Sequence, residues 1–155
     1  MVGTDVGVTS TLIAMGSVAA SFWDLPWHPA VVHFPIAFLF TAGVAVILRH
    51  LLGREALDRT ARTMLPLGVA TYPLVVLTGL RDAGWADFIR TLDMSQPLPW
   101  HVLAGVITII VTTGWWVARR LFADTLTVRA DCVFAGATVW LLLLTGLLAG
   151  EVVFA

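Results

Sequence analysis

The chain has no lysine, a single cysteine, and only 12% charged residues in a length of 155. A soluble domain carries about 25% charge. That shortage, with 59% hydrophobic residues and a mean hydropathy of +0.91, excludes an ordinary water-soluble fold and indicates an integral membrane protein. The lone Cys132 excludes an intramolecular disulfide and any cysteine-based zinc or iron–sulfur site within the chain; it reads as a small apolar helix residue. All nine basic residues are arginine, which reflects base composition rather than chemistry. A net charge of −1 leaves no basic surface for nucleic acid. No glycine-rich phosphate loop, nucleophile elbow or HExxH motif is present, so nothing looks hydrolytic.

What is present is four apolar runs, approximately 29–49, 63–81, 100–120 and 131–151, each near the ~20 residues that cross a hydrocarbon core. The expected fold class is all-α, an integral membrane four-helix bundle. The joints RHLLGREALDRTAR, RDAGWADFIRTLDMSQPLPW and RRLFADTLTVRAD separate the runs. Arginines 49, 54, 59, 62, 119, 120 and 129 fall in the first and third joints, against Arg81 and Arg90 in the second. The positive-inside bias places the first and third joints in the cytoplasm. The 82–99 joint, His28, His33, His101 and Glu151 then lie on the periplasmic side of a bacterial inner membrane. Trp23, Trp27, Trp85 and Trp100 at the outer boundary, with Trp115 and Trp116 at the inner one, read as aromatic belts. Trp140, mid-span, is expected to pack against helices or a cofactor.

Residues 1–27 form an N-terminal apolar segment, distinct from the four-helix domain at 28–155. Within it, 6–23 reads as an interfacial helix, with a fifth span as the alternative, because no positive n-region marks a secretory signal. Gly146 and Gly150 form a GxxxG pair, and Gly105 and Gly114 lie in the third span; such residues mark close helix approach. Pro66 and Pro73 are expected to bend the second span.

Alternating chain direction brings His33, His101, the Gly79–Arg81–Asp82 stretch and Glu151 to one side of the membrane. Two chemistries suit that set. His33 and His101, from two helices, would ligate a b-type haem axially, with His28 and Asp82 orienting ligands or contacting propionates. Alternatively His28, His33, His101 and Asp82 would hold copper or zinc. His28 and His33 are about 140° apart on a helix, which favours one histidine from each of two helices over a chelate using both. His50, beside Arg49, reads as a solvated interfacial residue.

The run HPAVVHFPIAFLF, followed by TGLRD and then His101, resembles the bacterial membrane family called domain of unknown function 2231. The resemblance spans about residues 28–150 and carries over His28, Pro29, His33, Pro35, Gly79, Asp82 and His101. It implies a four-helix membrane domain. Fusion of some relatives to Rieske or cytochrome c domains implies electron transfer by association. This chain has neither CxxCH nor Rieske ligands, so a redox centre here would be haem b or a metal on the histidines. The expected function is one-electron transfer by a small haem protein, more an electron carrier than a stand-alone enzyme, with other membrane subunits as partners. The alternative is a cofactor-free accessory subunit of a larger respiratory or photosynthetic complex.

Overall fold

A computed structural model describes residues 27–84 and 94–154. Within these, the chain forms α1 (Trp27–Val31), α2 (His33–Leu52), α3 (Glu55–Ala70), α4 (Tyr72–Ala83), α5 (Pro97–Leu121) and α6 (Val128–Phe154). The N-terminal segment 6–23 and residues 85–93 of the 82–99 joint lie outside the described residues. Paired end to end, α1 with α2 and α3 with α4 make the first two spans, so four helical stretches are long and apolar enough to cross a membrane.

The two internal breaks have one cause. Pro35 lacks the N–H that would bond the Val31 carbonyl, and Pro73 lacks the one for Val69, so the ladder is interrupted near Val32 and Thr71 while both residues keep right-handed helical dihedrals. At the second break the Thr71 hydroxyl donates to the Gly68 carbonyl at 2.6 Å. Pro66, by contrast, sits inside α3 without ending it.

The first joint is far shorter than the charge pattern implies. Residues 50–52 complete α2, and α3 begins at Glu55. Only Gly53 and Arg54 lie between. Gly53 makes the reversal in the left-handed region at φ 65°, its N–H bonding the Arg49 carbonyl at 2.8 Å. EALDRTAR is helical because it is amphipathic: Asp58, Ala61 and Leu65 turn inward while Arg59, Arg62 and Thr63 face out.

α2 is the hub, packed along α3 and α6, and α5 completes the bundle against α6. The core centres on Leu39, Val46, Leu65 and Trp115, with Ala42, Ala45, Ala61 and Ala135 letting the helices approach. The close contacts are made at Gly43 and Gly68. A Cβ at Gly43 would stand 2.7 Å from Val139 Cγ2 and 3.1 Å from the Ala135 carbonyl, and one at Gly68 would strike Leu39. The expectation for Gly105, Gly114, Gly146 and Gly150 is therefore corrected: among the described residues nothing lies within 4 Å of their Cβ positions. Two tryptophans also exchange roles. Trp140 is 61% exposed on the bundle exterior, whereas Trp115 is fully buried and not part of a belt.

Candidate functional site

Polar side chains gather at the two ends of the bundle. At the histidine end, α1 begins beside the end of α4, and α5 begins beside the end of α6. His28 and His101 meet there with ring centroids 6.4 Å apart and planes 86° to each other. His28 Nδ1 lies 3.1 Å from the Val75 carbonyl and 3.3 Å from Thr78 Oγ1. His101 Nδ1 lies 3.0 Å from the Thr145 carbonyl. A ring nitrogen facing a carbonyl must carry the proton, so in each neutral imidazole Nε2 is left with the lone pair. Neither Nε2 has a hydrogen bond among the described residues. Gly79 makes room for this arrangement, since a Cβ there would stand 3.0 Å from His28 Cε1.

Asp82 reaches the same place but serves the backbone. Its Oδ2 accepts the His28 N–H at 2.9 Å, satisfying one of the four donors a helix start leaves orphaned. His33 is exposed, and its Nδ1 bonds the Pro29 carbonyl of its own turn. The imidazole brought to His101 is thus that of His28, because the helix turns His33 about 140° away from it. Among the described residues no group of three or more histidine, cysteine, aspartate or glutamate side chains could hold a metal ion.

The arginine end is built differently. Asp58 of α3 accepts from Arg49 Nη1 at 2.7 Å, Arg62 Nε at 2.6 Å and Arg119 Nη2 at 2.6 Å. Arg119 continues through its Nε to Asp131 Oδ1 at 3.2 Å. Asp131 also takes the Trp115 indole N–H at 2.8 Å, and His50 Nε2 stands 3.6 Å from its other oxygen. The Arg119 guanidinium lies over the Trp115 ring, 5.8 Å from its centroid. Both carboxylates are buried, at 8% and 4% exposure. Ions at such a depth persist only when paired and hydrogen-bonded. A planar guanidinium with five donors suits the bridging task; a lysine would not span two carboxylates this way.

This second cluster was not foreseen. The arginines were read as topology signals and His50 as solvated, yet His50 is only 17% exposed at its side chain and sits against Asp131. One local signal existed, the Asp58–Arg62 pair at i, i+4. A longer one is the repeat Asp131, Thr138, Thr145 on α6, opposite His101, Thr108, Thr112, Trp115 and Arg119 on α5. Both sets repeat at three, four or seven residues, so each marks one helix face.

A family model described as "Predicted membrane protein (DUF2231)" matches residues 24–155. No curated protein and no solved structure matches the chain.

Proposed function

The chain belongs to this membrane-protein family, and within it we propose a one-electron carrier whose His28 and His101 hold a b-type haem at the histidine end. The observation that carries the reading is the prepared pair of imidazoles on separate helices. Each is fixed through Nδ1 by a backbone carbonyl and keeps Nε2 for a metal, which is how outer-shell bonds orient ligand histidines. The two rings stand 6.4 Å apart between centres, and His28 and His101 are the residues that would hold the group. α4 packs on α1 and α3 and scarcely on α5.

In this reading the protein's own groups do three things. The Val75 and Thr145 carbonyls hold the two rings in one tautomer. Asp82 fixes the start of α1, and with it His28. The bound haem supplies the one-electron chemistry. Arginine distribution supports a cytoplasmic arginine end and a periplasmic histidine end, which would make the carrier accessible to periplasmic donors and acceptors in a bacterial inner membrane.

Optical spectroscopy of the purified chain tests the proposal. Expected is a Soret band, with split α and β bands on reduction, that is lost in His28→Ala and in His101→Ala and kept in His33→Ala. Loss in His33→Ala with retention in His28→Ala would return the ligand pair to His33 and His101. A featureless spectrum from chain that co-purifies with a large membrane complex would refute the carrier and favour the cofactor-free accessory subunit.

A further inference from the structure

The arginine end holds more positive charge than its carboxylates balance. Arg49, Arg62 and Arg119 all reach the one Asp58 carboxylate, and Arg119 alone goes on to Asp131. Three guanidiniums thus face two carboxylates. Donors exceed acceptors as well: Arg119 Nη1 is buried with no hydrogen-bond partner among the described residues. An unbalanced charge at such a depth is costly until a counter-charge joins it.

The three arginines are graded outward. The Arg119 side chain is 12% exposed, that of Arg49 34% and that of Arg62 69%. Arg49 uses Nη1 for Asp58 Oδ1, and Arg62 uses Nε for Asp58 Oδ2. No other nitrogen of these two guanidiniums has a hydrogen bond among the described residues. One carboxylate therefore pins two half-open guanidiniums side by side, each with further N–H groups to donate. Both lie near the end of a span. Arg49 is in the last turn of α2 and Arg62 two turns into α3, on either side of the Gly53 reversal. Arginines at that depth extend their heads to the lipid headgroups. Leu48 and Leu67, on the hydrocarbon side of the two arginines, are exposed.

We propose that Arg49 and Arg62 form a phosphate-ester site that takes an anionic phospholipid, its phosphate lying across the two guanidiniums and its acyl chains along the apolar surface beyond them. Guanidinium forks bond phosphate oxygens in pairs. A phosphatidylglycerol headgroup brings a single negative charge and cancels the excess. A phosphatidylcholine headgroup carries its own ammonium and does not. Asp58 is a positioning residue here: it keeps the two forks adjacent and does not touch the lipid.

The test is native mass spectrometry of the full chain, released from non-ionic detergent after titration with phosphatidylglycerol, phosphatidylcholine or glycerol phosphate. Wild type is expected to retain phosphatidylglycerol about tenfold more tightly than phosphatidylcholine. Arg49→Gln and Arg62→Gln are each expected to weaken phosphatidylglycerol binding about tenfold. Arg54→Gln and Arg59→Gln remove the same charge from exposed residues that do not bond Asp58, and are expected to change it by less than about twofold. Equal loss in all four variants would mean diffuse attraction and overturns the site, as does equal retention of the two lipids by wild type. Glycerol phosphate bound as tightly as phosphatidylglycerol would make this a site for soluble phosphate esters and overturns the lipid assignment. An unfolding temperature of Arg62→Gln near that of wild type, in detergent without added lipid, shows that lost binding is not lost fold. No readout uses a bound haem, so the lipid site and the electron-carrier reading fail separately.

Discussion

The histidine end and the arginine end both concentrate polar groups at a rim of the bundle, yet they are held by opposite means. At the arginine end, two buried carboxylates and three arginines tie together α2, α3, α5 and α6. At the histidine end the imidazoles are anchored by neutral backbone carbonyls, and the nearest carboxylate serves a backbone N–H. Ion pairing closes a structure because removing either partner leaves a charge stranded in low dielectric. Carbonyl anchoring fixes a ring while leaving its other nitrogen available. The contrast suits one end to architecture and leaves the other the place where the proposed haem would sit.

The largest expected effect tests that division directly. Asp58 pairs with Arg49, Arg62 and Arg119 from three helices while itself only 8% exposed. Asp58→Asn removes the charge, keeps the shape and leaves those arginines facing one another. Breaking a buried pair in this way costs about 3–5 kcal/mol, and thermal unfolding in detergent should show it as a large drop in Tm. A loss under about 1 kcal/mol would mean that the cluster behaves as an exposed ion pair, and the architectural role would then pass to the alanine and glycine contacts of the core.

A middle-sized effect belongs to Gly79. Its missing Cβ is filled by the edge of the His28 ring. Gly79→Ala would push that ring off the Val75 carbonyl, at a cost of about 1–3 kcal/mol for overpacking, partly offset by the better helix propensity of alanine. The prediction is an asymmetry: a modest fall in Tm, but a marked loss of cofactor retention in the optical spectrum. Equal loss of both would make the histidine end as architectural as the other.

These contrasts also show which parts of the sequence could be read. Four spans follow from composition, because apolar runs of this length leave few alternatives. The gathering of His28, His101 and Asp82 at one end follows from alternating chain direction. Which histidine meets His101 does not, since Pro29, Pro35 and the packing of α1 on α4 decide how the first turns are rotated. The Asp58 cluster was hidden for a related reason. Arg119 is 61 residues from Asp58, and a charged segment looks solvent-facing until its partners are known. Glycine was misleading in the same way. The GxxxG at Gly146 and Gly150 has the expected spacing but no neighbour in the described chain, while Gly43 and Gly68, outside any motif, carry the contacts.

The smallest effect asks whether charge matters at all where the histidines meet. Asp82 is exposed, and its contact with His28 is a hydrogen bond from a helix-start N–H. An asparagine carbonyl accepts that bond equally well, so Asp82→Asn should change stability by only a few tenths of a kcal/mol, and Asp82→Ala by about 1 kcal/mol, the usual cost of losing a cap. The order of the two variants carries the information. If Asn is near wild type and Ala is not, Asp82 acts through its acceptor geometry, and the histidine end is organised without ion pairing. If Asn and Ala fall together, the negative charge is what holds the start of α1, and the two ends of the bundle differ in burial rather than in kind.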